Sequence, residues 1–116
     1  MKRATISTTG TTFFGIAITC TTNQLALAIG EPDFENQFPE EGETNYVWDC
    51  ETSGGELFTI YDFGMVGDFA ADEEVEFRIG GFNKVSCIVA KEELSAKLNL
   101  SFSPVDVEQA LGRTIR

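Results

Sequence analysis

Residues Asn45 to Asp62 read NYVWDCETSGGELFTIYD, and the two halves of this stretch decide the fold. In the first half Tyr46, Trp48 and Cys50 fall on one face, and Asn45, Val47, Asp49 and Glu51 on the other. Successive side chains of a strand point to opposite faces, so the alternation predicts a strand with one aromatic side. Ser53-Gly54-Gly55 supplies a hairpin turn, because glycine accepts the backbone angles that tight turns demand. The chain then returns from Glu56 to Asp62, with Leu57, Thr59 and Tyr61 opposing Phe58, Ile60 and Asp62. Both faces of the return strand are partly apolar, which predicts a central strand covered on one side by helices.

Upstream, β-branched and aromatic residues dominate from Ala4 to Cys20, with Thr9-Gly10 as a turn between two strands. Within Thr12 to Cys20, Phe14, Ile16, Ile18 and Cys20 share one face, and Phe13, Gly15, Ala17 and Thr19 the other. The small residues of the second face predict close approach of a helix there. Thr21-Thr22-Asn23 can cap a short helix over Gln24 to Ile29, Gly30 suits its end, and Glu31-Pro32 blocks continuation. The stretch from Glu31 to Glu43 reads as an acidic loop, with Phe34 and Phe38 pinning it to the body.

Downstream, Gly64 to Ala71 reads as a loop. Glu74 to Ile79 alternates, with Val75, Phe77 and Ile79 inward and Glu74, Glu76 and Arg78 outward. Gly80-Gly81 ends that strand. Val85 to Val89 has strand composition, yet Asn83 can cap a helix and Lys91 to Leu98 is strongly helical; one helix from Lys84 to about Leu98 is the favoured reading. Ser103-Pro104 with Asp106, and Gly112 as a stop, predict a short terminal helix over 103–112. The expected order is β-β-α-β-β-β-α-α. This is a single α+β domain over 1–116, with an antiparallel sheet of four to five strands against two to three helices.

A chain of 116 residues that is 42% apolar can bury a real core. Its net charge of −11 requires most acids to face outward, since an unpaired buried carboxylate is too costly. Cys20, Cys50 and Cys87 form no CxxC pair, and their odd number without a signal-peptide pattern predicts reduced, buried thiols in a cytoplasmic setting. No run approaches eighteen apolar residues, and an acidic surface is repelled by anionic lipid, so no membrane association is expected.

Histidine is absent, which removes the commonest general base and the commonest metal ligand. Calcium-loop spacing is missing, and neither Gly54-Gly55 nor Gly80-Gly81 has phosphate-loop spacing. No catalytic residue, metal ligand or cofactor is predicted.

From Ala4 to Phe77 there is no basic residue, while Glu31 to Glu76 holds fifteen acids. Such a field repels nucleic acid and attracts proteins with a basic groove. The acids expected to meet a partner are Asp33, Glu35, Glu40, Glu41, Glu43, Asp68, Asp72, Glu73, Glu74 and Glu76. An alternative site for an anionic nucleotide uses Arg78, Gly80, Gly81, Asn83 and Lys84, where backbone N–H groups at a helix start could receive the anion, with self-association left open. Trp48 and Tyr61 are the aromatics best suited to an exposed binding role, although strand alternation favours the core for both.

Four pieces occur in order: LALAIGEP at Leu25 to Pro32, then Trp48, then FTIYDF at Phe58 to Phe63, then FRIGG at Phe77 to Gly81. Together they resemble small phage and prophage proteins with a GEP-like turn, a TIYDW-like strand and a WHIGG-like segment before a helix. The resemblance spans about Phe14 to Ala90. The chain departs from the pattern at Phe63, where tryptophan is usual, and at Phe77-Arg78, where Trp-His is usual. The resemblance implies a phage accessory role and a helix after Gly81. With the charge pattern it leads to the expectation of a non-enzymatic inhibitor of a host defence or nucleic-acid-handling protein. A nucleotide sponge and a structural virion component are the alternatives.

Overall fold

The computed structural model describes residues 1–35, 44–63 and 69–100. The elements in order are β1 (Lys2–Arg3), β2 (Thr12–Cys20), α1 (Thr22–Ile29), β3 (Phe34–Glu35), β4 (Tyr46–Glu51), β5 (Leu57–Tyr61), β6 (Val75–Gly81) and α2 (Lys84–Leu100). The fold is α+β, as expected. The strands form one antiparallel sheet in the order β1-β4-β5-β6-β2, and β3 pairs with the same edge of β4 as β1 does. The hairpin read from Asn45 to Asp62 is present, with Trp48 opposite Ile60 and Cys50 opposite Phe58.

One face of the sheet holds the core. Trp48, Cys50, Phe58, Ile60, Phe77 and Ile79 are fully buried there, against Leu25 of α1 and Cys87, Ala90 and Leu94 of α2. The rings of Trp48 and Phe77 meet edge to face at 5.8 Å. The helices therefore lie on the Phe14, Ile16, Ile18 and Cys20 side of β2. The expectation that they approach the small-residue side is wrong, because burying large apolar area outweighs the convenience of a flat surface. A register irregularity between Phe13 and Ala17 contains Gly15 at φ 87. Between the pairs Phe13–Gly80 and Ala17–Arg78, three residues of β2 oppose the single Ile79 of β6, an insertion of two. The insertion is even-numbered, so the inward set keeps its face.

Helix α1 starts as its sequence predicts. Thr21 Oγ1 accepts the Gln24 N–H, and Gln24 Oε1 accepts the Thr21 N–H, at 3.0 and 2.8 Å. Gly30 closes the helix at φ 91, and its carbonyl accepts the Trp48 indole N–H at 2.9 Å. Trp48 is thus a core residue rather than a binding surface. Segment 84–98 is helical, since Asn83 Oδ1 accepts the Ser86 N–H at 2.8 Å and caps the first turn.

Two sequence expectations about connections change. The first strand is only Lys2–Arg3 and pairs with β4, so Thr9-Gly10 does not join a hairpin. Residues 4–11 instead form a strap from one edge of the sheet to the other. It leans on the face opposite the core through Thr5 to Glu51 (3.2 Å), Thr8 to Asp49 (2.8 Å) and Thr11 to Thr59 (3.5 Å). The acidic segment 31–43 is also not all loop, because Phe34 and Glu35 pair with Val47 and Tyr46. Residues 36–43 and the terminal segment 103–112 lie outside the described residues. No helix among the described residues is long and apolar enough to cross a membrane.

Candidate functional site

The acids divide by what their carboxylates touch. Asp62 is fully buried and accepts both the backbone and side-chain N–H groups of Asn45, at 3.0–3.1 Å, and the Tyr46 N–H at 2.9 Å. Its charge is spent on fixing the start of β4. Asp33 Oδ2 lies 2.6 Å from Arg3 Nη2 and accepts the Asp49 N–H at 2.7 Å. Asp49 and Glu51 take threonine hydroxyls from the strap, and Glu56 takes that of Thr52. Glu93 accepts the Met1 ammonium at 2.7 Å and the Ser53 N–H at 3.0 Å. Burial pushes the Glu93 carboxyl up, but these donors outweigh it and hold it below the usual carboxylate range.

A second group projects outward. Asp72, Glu73, Glu74 and Glu76 are all exposed, and they run along the chain into β6. Among the described residues none of the four forms an ion pair, and only Glu73 takes a backbone N–H, from Ala70 at 3.4 Å. Of the other expected partner acids, Asp33 is tied to Arg3 and Glu35 is exposed in β3, away from residues 72–76 in the chain. Glu40, Glu41, Glu43 and Asp68 lie outside the described residues. The expected ten-residue acidic surface therefore reduces, where it is described, to the 72–76 run.

Arg78 occupies the middle of β6 on the side away from the helices, in register with Ala17 and Tyr61. Its guanidinium lies between two phenyl rings, 4.2 Å from the Phe13 centroid and 4.3 Å from that of Phe63. Both distances are within cation–π range, so the two rings hold the guanidinium in place. Among the described residues no carboxylate pairs with it, although the chain is strongly acidic. Phe63 was legible only as a departure from the family pattern, and Phe13 only as a strand residue. Neither gave a signal of meeting Arg78, because the contact joins three distant segments.

The other members of the expected anion site separate. Gly80 stays on the Arg78 side, where an added Cβ would stand 2.6 Å from Thr59 Oγ1. Gly81 turns to the helix side, where its Cβ would stand 2.7 Å from Cys87 Sγ. Asn83 spends its side chain on capping α2, so the helix start already has an acceptor. Lys84 is exposed on the first turn. These five residues do not converge on one pocket.

The thiols are inert in character. Burial pushes Cys20 and Cys50 up to about 12, with Glu74 adding to the rise at Cys20, and burial raises Cys87 as well. Among the described residues no group of three or more Cys, Asp or Glu side chains is placed to hold a metal ion.

The arrangement defines an α+β protein with an antiparallel sheet, two helices on one face, and a charged opposite face. Comparison with protein-family models, curated proteins and solved structures gives no significant match.

Proposed function

We propose that this chain is a non-enzymatic accessory protein of the phage type, which binds and inhibits a host protein that handles nucleic acid or mediates defence. Its exposed carboxylates take the place of phosphates in a basic groove. The observation that supports the reading is the division of the acids. Asp33, Asp49, Glu51, Asp62 and Glu93 accept from internal donors, whereas Asp72, Glu73, Glu74 and Glu76 remain exposed without a cation among the described residues. A row of solvated carboxylates attracts a basic surface and gives salt-sensitive binding.

The test is capture of partners from host lysate at ~50 mM and ~500 mM salt, with the wild type and a D72N/E73Q/E74Q/E76Q variant. The captured protein should be lost at high salt and lost with the variant, and nucleic acid should compete for it. Capture indifferent to both salt and the four substitutions would sink the proposal.

A second reading, sequestration of an anionic nucleotide, draws support from the ring-clamped Arg78. A guanidinium held in place without a carboxylate partner suits a bidentate phosphate contact. Thermal melting against a panel of cyclic nucleotides tests it. A tight ligand raises the melting temperature of the wild type but not of R78L, and no shift with any member counts against it.

A further inference from the structure

The face of the sheet away from the helices carries a cation that the described residues leave uncompensated. Val47, Tyr61, Arg78 and Ala17 stand in register across this face, and Asp49, Thr59, Gly80 and Phe13 form the next row. Arg78 is half-buried, and its guanidinium touches the Phe13 and Phe63 rings. Among the described residues it makes no hydrogen bond and no ion pair, in a chain of net charge −11. Its N–H groups reach solvent.

The backbone is shaped around this residue. Counting from the Ala17–Arg78 pair in unbroken register would set Gly15 opposite Gly80. The two-residue insertion in β2 sets Phe13 there instead, with its ring against Arg78. Bulges commonly re-aim a side chain in this way beside a site. Gly80 leaves room for the neighbours of Arg78, since an added Cβ would stand 2.6 Å from Thr59 Oγ1 and 3.5 Å from Tyr61 Cε1. The Tyr61 hydroxyl reaches solvent and takes no hydrogen bond among the described residues.

We infer that this face binds a nucleotide through a phosphodiester, with Arg78 and Tyr61 donating to the phosphate oxygens and the Phe63 ring stacking the base. The inference rests on the second reading above and names its ligand class and contacts. A guanidinium can donate to two oxygens of one phosphate in parallel. Phe63 is 46% exposed, so part of its ring stays open for a base, and such stacking tolerates any base. Charge selects the kind of phosphate. A diester carries one negative charge, which one guanidinium compensates, whereas a monoester carries up to about two at neutral pH. The second charge would stand near Glu76, exposed two residues before Arg78 on the same face, and β2, β5 and β6 hold no further base. A long nucleic-acid strand is disfavoured for the same reason, because its other phosphates would meet the acidic field.

Isothermal titration of the purified full-length chain with the 3′,5′-cyclic monophosphates of adenosine, guanosine, cytidine and uridine, and with the matching 5′-monophosphates, tests the inference. At least one cyclic nucleotide should bind, and more tightly than its 5′-monophosphate. R78L and Y61F should each reduce that affinity by about tenfold or more. F63L, which keeps an apolar contact with Arg78, should reduce it by about fivefold or more through lost stacking. E76Q should raise it, most clearly at low salt, with an unchanged circular dichroism spectrum. Binding that R78L, Y61F and F63L leave unchanged, or that E76Q weakens, overturns this site while sequestration elsewhere on the chain stands. Tighter binding of the 5′-monophosphate overturns the diester assignment, and absence of binding throughout the panel overturns both readings.

Discussion

Arg3 and Asp33 close the gap in a broken edge strand. The chain leaves β4 after the Ala4 N–H has bonded the Asp49 carbonyl, and a different segment arrives where the Asp33 N–H bonds the Val47 carbonyl. Between these points the Asp49 N–H would lack a partner, and Asp33 Oδ2 accepts it while holding Arg3 Nη2 at 2.6 Å. Arg3 also donates to the carbonyls of Ile29 and Glu31, so one guanidinium joins β1, the end of α1 and the start of β3.

Asp33→Ala should destabilise the fold by about 1–2 kcal/mol, mainly through the lost acceptor of the Asp49 N–H. Asp33→Asn keeps an acceptor and should cost less, since solvent screening leaves a half-exposed ion pair worth under about 1 kcal/mol. Urea unfolding ranks the two, and amide exchange at Asp49 should accelerate selectively in Asp33→Ala. Equal losses in both variants would show that charge rather than the hydrogen bond dominates.

Asp62→Asn should be more damaging, at about 2–3 kcal/mol. The carboxylate accepts from three donors on Asn45 and Tyr46 in a fully buried site, and an amide brings a second set of donors into that cluster. Thermal and urea unfolding both measure this, and a loss below about 0.5 kcal/mol would contradict it.

Gly81→Ala tests the contact between β6 and α2. The added methyl would stand 2.7 Å from Cys87 Sγ, which predicts a cost of about 1–3 kcal/mol from overpacking. Cys87→Ala in the same chain makes room, so the double variant should lose less than the sum of the single losses. Additive losses would mean that backbone conformation, not the sulfur, excludes a side chain there.

The buried thiols make stability pH-dependent on the alkaline side. Cys20 and Cys50 are raised from 9.0 to about 12, and protonated thiol is the form that the fold favours. Their contribution is therefore complete below pH 9 and lost as pH rises toward 12. Melting temperature should fall through that window, and in C20A/C50A the fall should be smaller. At pH 8 a disulfide reagent should label the thiols only after unfolding.

The hairpin from Asn45 to Asp62, the caps at Thr21 and Asn83, and the inward set Val75, Phe77 and Ile79 were all determined by sequence. Each depends on neighbours within a few residues, or on the two-residue period of a strand, and both are local. Tertiary structure alone decided which acids stay free, because a carboxylate's role depends on donors far along the chain: Thr8 for Asp49, Arg3 for Asp33, Met1 for Glu93. It also decided that β1 pairs with β4 rather than β2, and that Phe13 and Phe63 enclose Arg78. Those contacts exist because burial of one sheet face against two helices fixes where every remote segment must pass. Alternation specifies each strand's faces, but only the assembled core specifies its neighbours.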